Sequence, residues 1–177
     1  GPIRDITIQN TILSEATGSG YGVLVMYNVK NVSFYKNLLA LNNDRQFHSS
    51  VCGSEFEIIN NIIYGYQRAT ELTYEGRYDV IGNTYKASDN VSPASYALRY
   101  QRNSTNCPDG NPSLGAIYQS DNASFGSSYS LLHEEWNKYQ SSTRVIKNSL
   151  IVPKSRASVP DQLLLDVGNS LNRDDVD

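Results

Sequence analysis

Asn42-Asn43-Asp44-Arg45-Gln46-Phe47-His48 brings a carboxylate, a guanidinium and an imidazole into one short run, just after a strand-like stretch that ends at Leu39-Ala40. No other stretch of the chain offers such a combination. There is no Gly-x-Ser-x-Gly, no phosphate loop and no His-Glu-x-x-His. Gly18-Ser19-Gly20-Tyr21-Gly22 lacks the strand-to-helix setting of a dinucleotide loop and reads as a turn between two strands. Glu134-Glu135 and Asp174-Asp175 are adjacent residues that face different ways, which suits solvated charge better than paired acid-base work. His48 and His133 have no ligand partners at metal spacing, so the plain reading of each is a surface or turn histidine. For Arg45 the plain reading is an ion pair with Asp44 or Glu75.

The chain around this run has 177 residues, about one domain. Lys plus Arg is 15 against 18 for Asp plus Glu, a net charge of −3 without a basic run, so nucleic acid is not an expected partner. The longest apolar stretches, Gly22 to Met26 and Leu163 to Leu165, fall far short of the roughly 20 residues of a membrane helix, and no stretch reads as a signal peptide. Gly1-Pro2 leads straight into a strand-like pattern without an initiator Met, as in a processed or cut chain. Cys52 and Cys107 have the wrong number and spacing for a zinc knuckle. A bridge between them suits an oxidising compartment and two free thiols a reducing one, with the bridge favoured. Sequons at Asn31, Asn90, Asn103 and Asn122 carry little weight in a chain so rich in Asn and Ser.

The elements that must position the run are visible as a repeat. Val32 to Leu39, Phe56 to Ile63 and Tyr78 to Tyr85 share one frame: apolar, any, apolar, two further residues, Asn, then a second short strand. Ile6 to Leu13 follows it with Thr11 at the Asn position, and Thr143 to Ile151 follows it with Asn148 there. Thr11, Asn37, Asn61 and Asn83 are spaced 26, 24 and 22 residues apart. Short strands and turns at such a period, with no unit able to bury its own apolar face, define a solenoid of stacked coils. The expected fold is all-β, a right-handed parallel β-helix. Equivalent residues then stack at roughly 4.8 Å: Asn37, Asn61 and Asn83 form a hydrogen-bonded column with Thr11 and Asn148 at its ends, and Ile8, Phe34, Ile58 and Val80 form an internal stripe. These asparagines are read as structural.

The expected organisation is a single β-helix domain over 1–177, with regular coils over 1–86, a long ordered excursion over 87–142, a final coil over 143–152 and a helix over 160–171 that caps or flanks the solenoid. The excursion rests on Pro93, Pro108, Pro112, Gly110 and Gly115 among many Ser and Asn, with a short helix near Leu131 to Tyr139. The final helix rests on Pro160 and Asp161 in its first turn, an apolar face of Leu163, Leu164 and Val167, and Gly168 as its stop.

The run from Ile6 through Lys86, above all Ile8 to Glu15, Gly20 to Val25, Val32 to Arg45 and Phe56 to Tyr64, resembles the pectate lyases of polysaccharide lyase family 1. Leu163 to Asp177, with Val167-Gly168-Asn169-Ser170-Leu171-Asn172-Arg173-Asp174, resembles the closing segment of the same enzymes. The resemblance implies a right-handed parallel β-helix that cleaves de-esterified homogalacturonan by β-elimination in a secreted, extracellular setting. Arg45 falls on the family's catalytic arginine, the base that takes the proton α to the uronate carboxylate. Calcium is the implied cofactor, acidifying that proton, its ligands on coils that would precede Ile6 and are not in this sequence. An arginine works as a base only where the site discourages its charged form; otherwise its role is charge stabilisation. Phe47 stands where the family pattern has Pro, Ser50 where it has a second Arg, and the segment between Glu15 and Gly22 lacks the Lys of bacterial relatives.

Two functions follow from these residues. One is a pectate-lyase-like enzyme for an acidic polysaccharide, with Arg45 catalytic and Asp44, His48, Tyr21, Tyr66 and Tyr74 binding substrate. The other is a non-catalytic β-helix module, structural or glycan-binding, of the kind found in adhesins, virus tails and filaments, which could assemble through its open ends because end coils expose unpaired strand edges.

Overall fold

The computed structural model describes residues 3–18, 20–26, 29–42, 44–50, 54–73, 76–87, 96–101, 115–126 and 130–168. The chain winds into a parallel β-solenoid in which each rung supplies three strands. The first rung is β1 (Arg4–Gln9), β2 (Ile12–Ser14) and β3 (Val23–Met26); the second is β4 (Lys30–Tyr35), β5 (Leu38–Ala40) and β6 (Arg45–Ser50). The third is β7 (Glu55–Ile59), β8 (Ile62–Tyr64) and β9 (Arg68–Thr73), and the fourth β10 (Arg77–Ile81), β11 (Thr84–Lys86) and β12 (Tyr96–Gln101). A fifth consists of β13 (Ala116–Ser120), β14 (Ala123–Phe125) and β15 (Ser130–Leu132). The first strands of all rungs pair in one parallel sheet, the second strands in another and the third strands in a third. Among the described residues no helix is long and apolar enough to cross a membrane.

Alternation places every second side chain inside. Ile8, Phe34, Ile58 and Val80 are in register, as are Ile6, Val32, Phe56, Tyr78 and Ile117, and both stripes are buried from the second rung on. Phe47 of the third sheet meets Phe34 edge-on at 4.5 Å between centroids and Phe56 at 5.4 Å, and Phe56 meets Tyr78 at 4.6 Å. This aromatic pile runs along the solenoid axis and fixes the register of the sheets around it.

The turn after each first strand uses two stacked positions. Asn10, Lys36, Asn60 and Asp121 adopt φ of 53–55°, and Gly82 adopts 65°. A Cβ on Gly82 would stand 2.3 Å from Asn60 Nδ2, so this rung needs a glycine. The next residue enters the amide column. Asn61 Oδ1 accepts from the backbone N–H of Asn37 at 2.9 Å and from its Nδ2 at 3.1 Å, and Asn83 Oδ1 does the same for Asn61 at 2.9 and 3.0 Å. The Nδ2 groups of Asn37, Asn61 and Asn83 also donate to the carbonyls of Ile8, Phe34 and Ile58 on neighbouring rungs. Thr11 ends the column, its N–H donating to Asn37 Oδ1.

The other end of the column is Asn122, not Asn148: its Oδ1 accepts from the N–H and the Nδ2 of Asn83, both at 3.0 Å. The expected excursion over 87–142 thus contains β12 and the whole fifth rung, and the expected coil over 143–152 contains no strand. Asp121-Asn122 supplies the left-handed residue followed by amide that the turn requires, and Thr143 to Ile151 is diverted by its charges. It crosses the outer face of the first sheet as a strap. Arg144 donates from Nη2 to Glu57 at 2.7 Å and from Nε to Asp79 at 2.9 Å, and the N–H of Val145 donates to Asp79 at 2.8 Å. Further on, the N–H of Lys154 donates to Asn60 Oδ1 and its carbonyl accepts from Asn60 Nδ2.

The end beyond the fifth rung is closed by residues 133–141. A 3₁₀ turn, Glu134–Lys138, buries Trp136 completely, and Tyr139 and Ser141 exchange backbone hydrogen bonds with Ile117 on the free edge of β13. The last helix, α1 (Val159–Asp166), is shorter than the expected 160–171 and flanks the solenoid without capping it. Val159, Leu163 and Val167 pack on Leu38 and Ile62, the outward side chains of the second sheet. Cys52, Cys107, Tyr74, Glu75 and the sequons at Asn90 and Asn103 lie outside the described residues.

Candidate functional site

Of the polar run, Asp44, Arg45 and His48 stand on the outer face of the third sheet, while Asn42, Gln46 and Phe47 are buried. Turn 42–46 is held from within: Asn42 Nδ2 donates to the Leu13 carbonyl and to Gln46 Oε1, and Gln46 Nε2 returns a bond to the Asn42 carbonyl. A Cβ at Gly22 would stand 2.6 Å from both Asn42 Nδ2 and the Gln46 carbonyl oxygen, so the neighbouring rung must offer glycine there. Gly22 N–H donates to the Arg45 carbonyl, Asp44 N–H to that of Gly20 and Arg68 N–H to that of Asp44. These backbone bonds place the segments that carry Tyr21, Asp44, Arg45 and Arg68.

Arg45 opens β6 and lies in register with Arg68, which opens β9; His48 lies in register with Glu71, and Glu71 with Arg99 of β12. Two arginines one rung apart would repel, and the carboxylates between them resolve this. Arg45 Nε donates to Glu71 Oε2 at 3.1 Å, and its Nη1 reaches Asp44 Oδ2 at 3.3 Å and the Tyr21 hydroxyl. Arg68 reaches Asp44 Oδ1 with Nε and Nη2, both at 2.6 Å, and lies 3.7 Å from Glu71; Arg99 lies 4.0 Å from the same Glu71 oxygen. The Glu71 side chain is 3% exposed and that of Arg45 15%, whereas those of Arg68 and Arg99 are 33% and 32% exposed. Tyr21 stacks on His48 at 5.9 Å, Arg45 lies over the Tyr21 ring at 5.1 Å, Arg99 over Tyr96 at 6.0 Å, and Tyr96 meets His133 at 4.4 Å.

Burial alone would lower the Arg45 pKa, but the hydrogen bond and charge of Glu71, with Asp44 and Tyr21, outweigh it and hold the guanidinium above its ordinary value. Burial pushes the His48 imidazole below its ordinary value, helped by the positive charges of Arg45 and Arg68 and opposed by Glu71. Its Nδ1 is buried and has no hydrogen-bond partner. The row therefore carries three guanidinium groups, two carboxylates bonded to them and an imidazole whose protonation burial disfavours. Both oxygens of Asp44 and Oε2 of Glu71 are engaged by guanidinium groups, whose positive charge does not fit a calcium ion beside them, and among the described residues no group of three or more His, Cys, Asp or Glu could hold a metal.

The structure brings Arg45, Asp44, His48 and Tyr21 together. It does not bring Tyr66 to them. That ring is fully buried in the solenoid core, edge-on to Tyr85 at 6.5 Å, because its position lies on the inside of the turn. Sequence reasoning passed over Arg68, Glu71, Tyr96 and Arg99. Their signal is the repeat itself: Arg45-Gln46-Phe47-His48, Arg68-Ala69-Thr70-Glu71 and Tyr96-Ala97-Leu98-Arg99 stack position on position. Compared with protein-family models and with curated proteins, the chain shows no match.

Proposed function

We propose that this chain belongs to a secreted, carbohydrate-active β-helix whose third sheet binds an acidic polysaccharide of the polyuronate class without cleaving it. The observation that carries this reading is the state of Arg45. A base must lose its proton, and Arg45 is surrounded by two carboxylates and a phenol that hold the proton on. Its part is to anchor Tyr21 and brace the row. Arg68 and Arg99 keep a third of their side chains in water, one rung apart along the axis, with Tyr21 and Tyr96 beside the row. A chain of carboxylates laid along the solenoid meets successive guanidinium groups, which bind carboxylates in forked pairs. The local excess of positive charge stands out against a net charge of −3 for the whole chain.

The lyase reading rests on Arg45 at the family position. One experiment separates the two: polygalacturonate with and without calcium, followed both by absorbance of the unsaturated product and by binding. The binding reading expects a flat absorbance trace and an affinity that falls on the order of tenfold in Arg68→Ala and falls further with added salt. Calcium-dependent product formation that disappears in Arg45→Ala would overturn it in favour of the lyase.

A further inference from the structure

The outer face of the first sheet carries a second, chemically different opening. β1 and β4 have six residues where β7, β10 and β13 have five. The extra residues, Asp5 and Asn31, adopt φ of 60° and 52° and are passed over in the pairing, which runs Arg4 to Lys30 and then Ile6 to Val32. The other non-glycine residues of positive φ among those described all follow strand ends; these two lie inside strands. The result is a pair of stacked bulges joined by an Asn31 Nδ2 to Asp5 Oδ1 bond of 3.0 Å. Bulges re-aim side chains and recur beside binding sites.

Beside them the strap leaves an open cleft of about 430 Å³, within the size range of ligand sites. One wall is the sheet, with Asp5, Thr7, Asn31 and Ser33; the other is the strap, with Ile146, Leu150 and Ile151 flanking the polar Asn148 and Ser149. At its floor Glu57 is already saturated by Arg144, Ser33 and Ser149, at 2.7, 2.6 and 2.9 Å. No basic side chain is among the described residues that line it. An anionic ligand would meet the exposed Asp5, and the nearest cation, Arg4, lies outside the lining and is already 3.9 Å from that carboxylate. A neutral ligand rich in hydroxyls would find hydroxyl and amide partners along both walls and aliphatic carbon on the strap, including Leu150, 96% exposed at the rim. That mixed profile suits a sugar ring, polar at its edge and apolar on its face.

We infer that this cleft is a second saccharide site and that it takes neutral sugar units. It stands on different residues from the arginine row and does not depend on it. The test is a ¹⁵N chemical-shift titration of the whole chain with cellotriose and with β-1,4-galactotriose, trigalacturonate serving as the acidic comparison. The expected result is amide shifts confined to 5–7, 31–33 and 146–151 with a neutral trisaccharide, unchanged by salt and absent from those residues with trigalacturonate. Asn31→Gly removes the amide and relieves the left-handed φ, and Leu150→Asp changes a side chain that packs on little, so both fold. Each weakens the neutral sugar about tenfold, or ~1.4 kcal/mol, while Arg68→Ala leaves it unchanged. Absence of shifts there at millimolar neutral sugar, equal affinity in both variants, or a preference for trigalacturonate at these residues would each overturn the assignment.

Discussion

The first and third sheets face the same problem and answer it in opposite ways. Each carries a cluster built on two carboxylates that stack at short spacing: Glu57 and Asp79 on the first sheet, Glu71 with nearby Asp44 on the third. On the first sheet one arginine, Arg144, bridges both carboxylates and arrives on the chain's own strap, so within this cluster acids outnumber bases and the cluster is covered. On the third, Arg45, Arg68 and Arg99 converge on Glu71 and Asp44, so bases outnumber acids and the outer guanidinium groups stay in water. A charge cluster that is closed by the chain serves stability. A cluster left open with surplus charge of one sign is a surface for a ligand of the other sign.

The sharpest break of this comparison is Arg144→Ala. Glu57 and Asp79, whose side chains are 2% and 0% exposed, would lose the one guanidinium they share, and stranding buried carboxylates costs about 3–5 kcal/mol. Urea denaturation should show that loss, with polygalacturonate binding per folded molecule unchanged. A loss below ~1 kcal/mol would mean the strap is a loose cover and the two faces are alike.

The amide column stands at the corner between the first and second sheets and ties together the rungs that carry both faces, so it should affect both. Asn61→Ala removes an acceptor for two Asn37 donors and a donor to the Phe34 carbonyl, all buried, at a cost of ~3 kcal/mol. Asn122→Ala, at the half-buried end, should cost ~1 kcal/mol. Equal losses from denaturant midpoints would show that the column does not act as a stack.

Arg68→Ala is the counterpart of the strap mutation. Its guanidinium is a third exposed and Asp44 keeps Arg45 as a partner, so stability should change by less than ~1 kcal/mol while polyuronate binding falls. If stability drops and binding holds, the third-sheet row is another structural clasp.

How much of this was legible in the sequence follows from spacing. Asn37, Asn61 and Asn83 recur at nearly even intervals, each after a left-handed residue, so the column and the solenoid could be read directly. Asn122 lies 39 residues beyond Asn83, in a stretch rich in Pro, Gly and Ser, and the apolar pattern of Thr143 to Ile151 offered a nearer substitute. What sets that segment apart is long-range: Arg144 seeks carboxylates that are 87 and 65 residues away, and no local periodicity records such a need. The arginine row failed to show for a related reason. Arg45 stood out by its neighbours, but Arg68, Glu71 and Arg99 acquire meaning only once the third strands are in register, and the turns before those strands differ in length. Tyr66 was misread because an aromatic in a polar turn looks exposed until the turn is known to fold inward.

The smallest expected effect is on pH dependence, and it tests whether the cationic field of the third sheet is real in solution. His48 is held below its ordinary pKa of 6.5 by burial and by Arg45 and Arg68, against the opposing charge of Glu71, with Tyr21 stacked on its ring. The unfolded chain therefore takes up a proton at a higher pH than the folded one. His48 contributes stability that is complete above about 6.5 and is lost as pH falls through its lower folded value. Stability measured by urea at falling pH should decline below that point in the wild type, and His48→Phe, which keeps the stack on Tyr21, should flatten the decline. Arg68→Ala removes one of the two cations and should shift the onset of proton uptake by the folded ring upward, measurable from the imidazole resonances. An unmoved titration would mean that burial alone sets His48, and that the field of the row is too weak at that distance to draw in a polyanion.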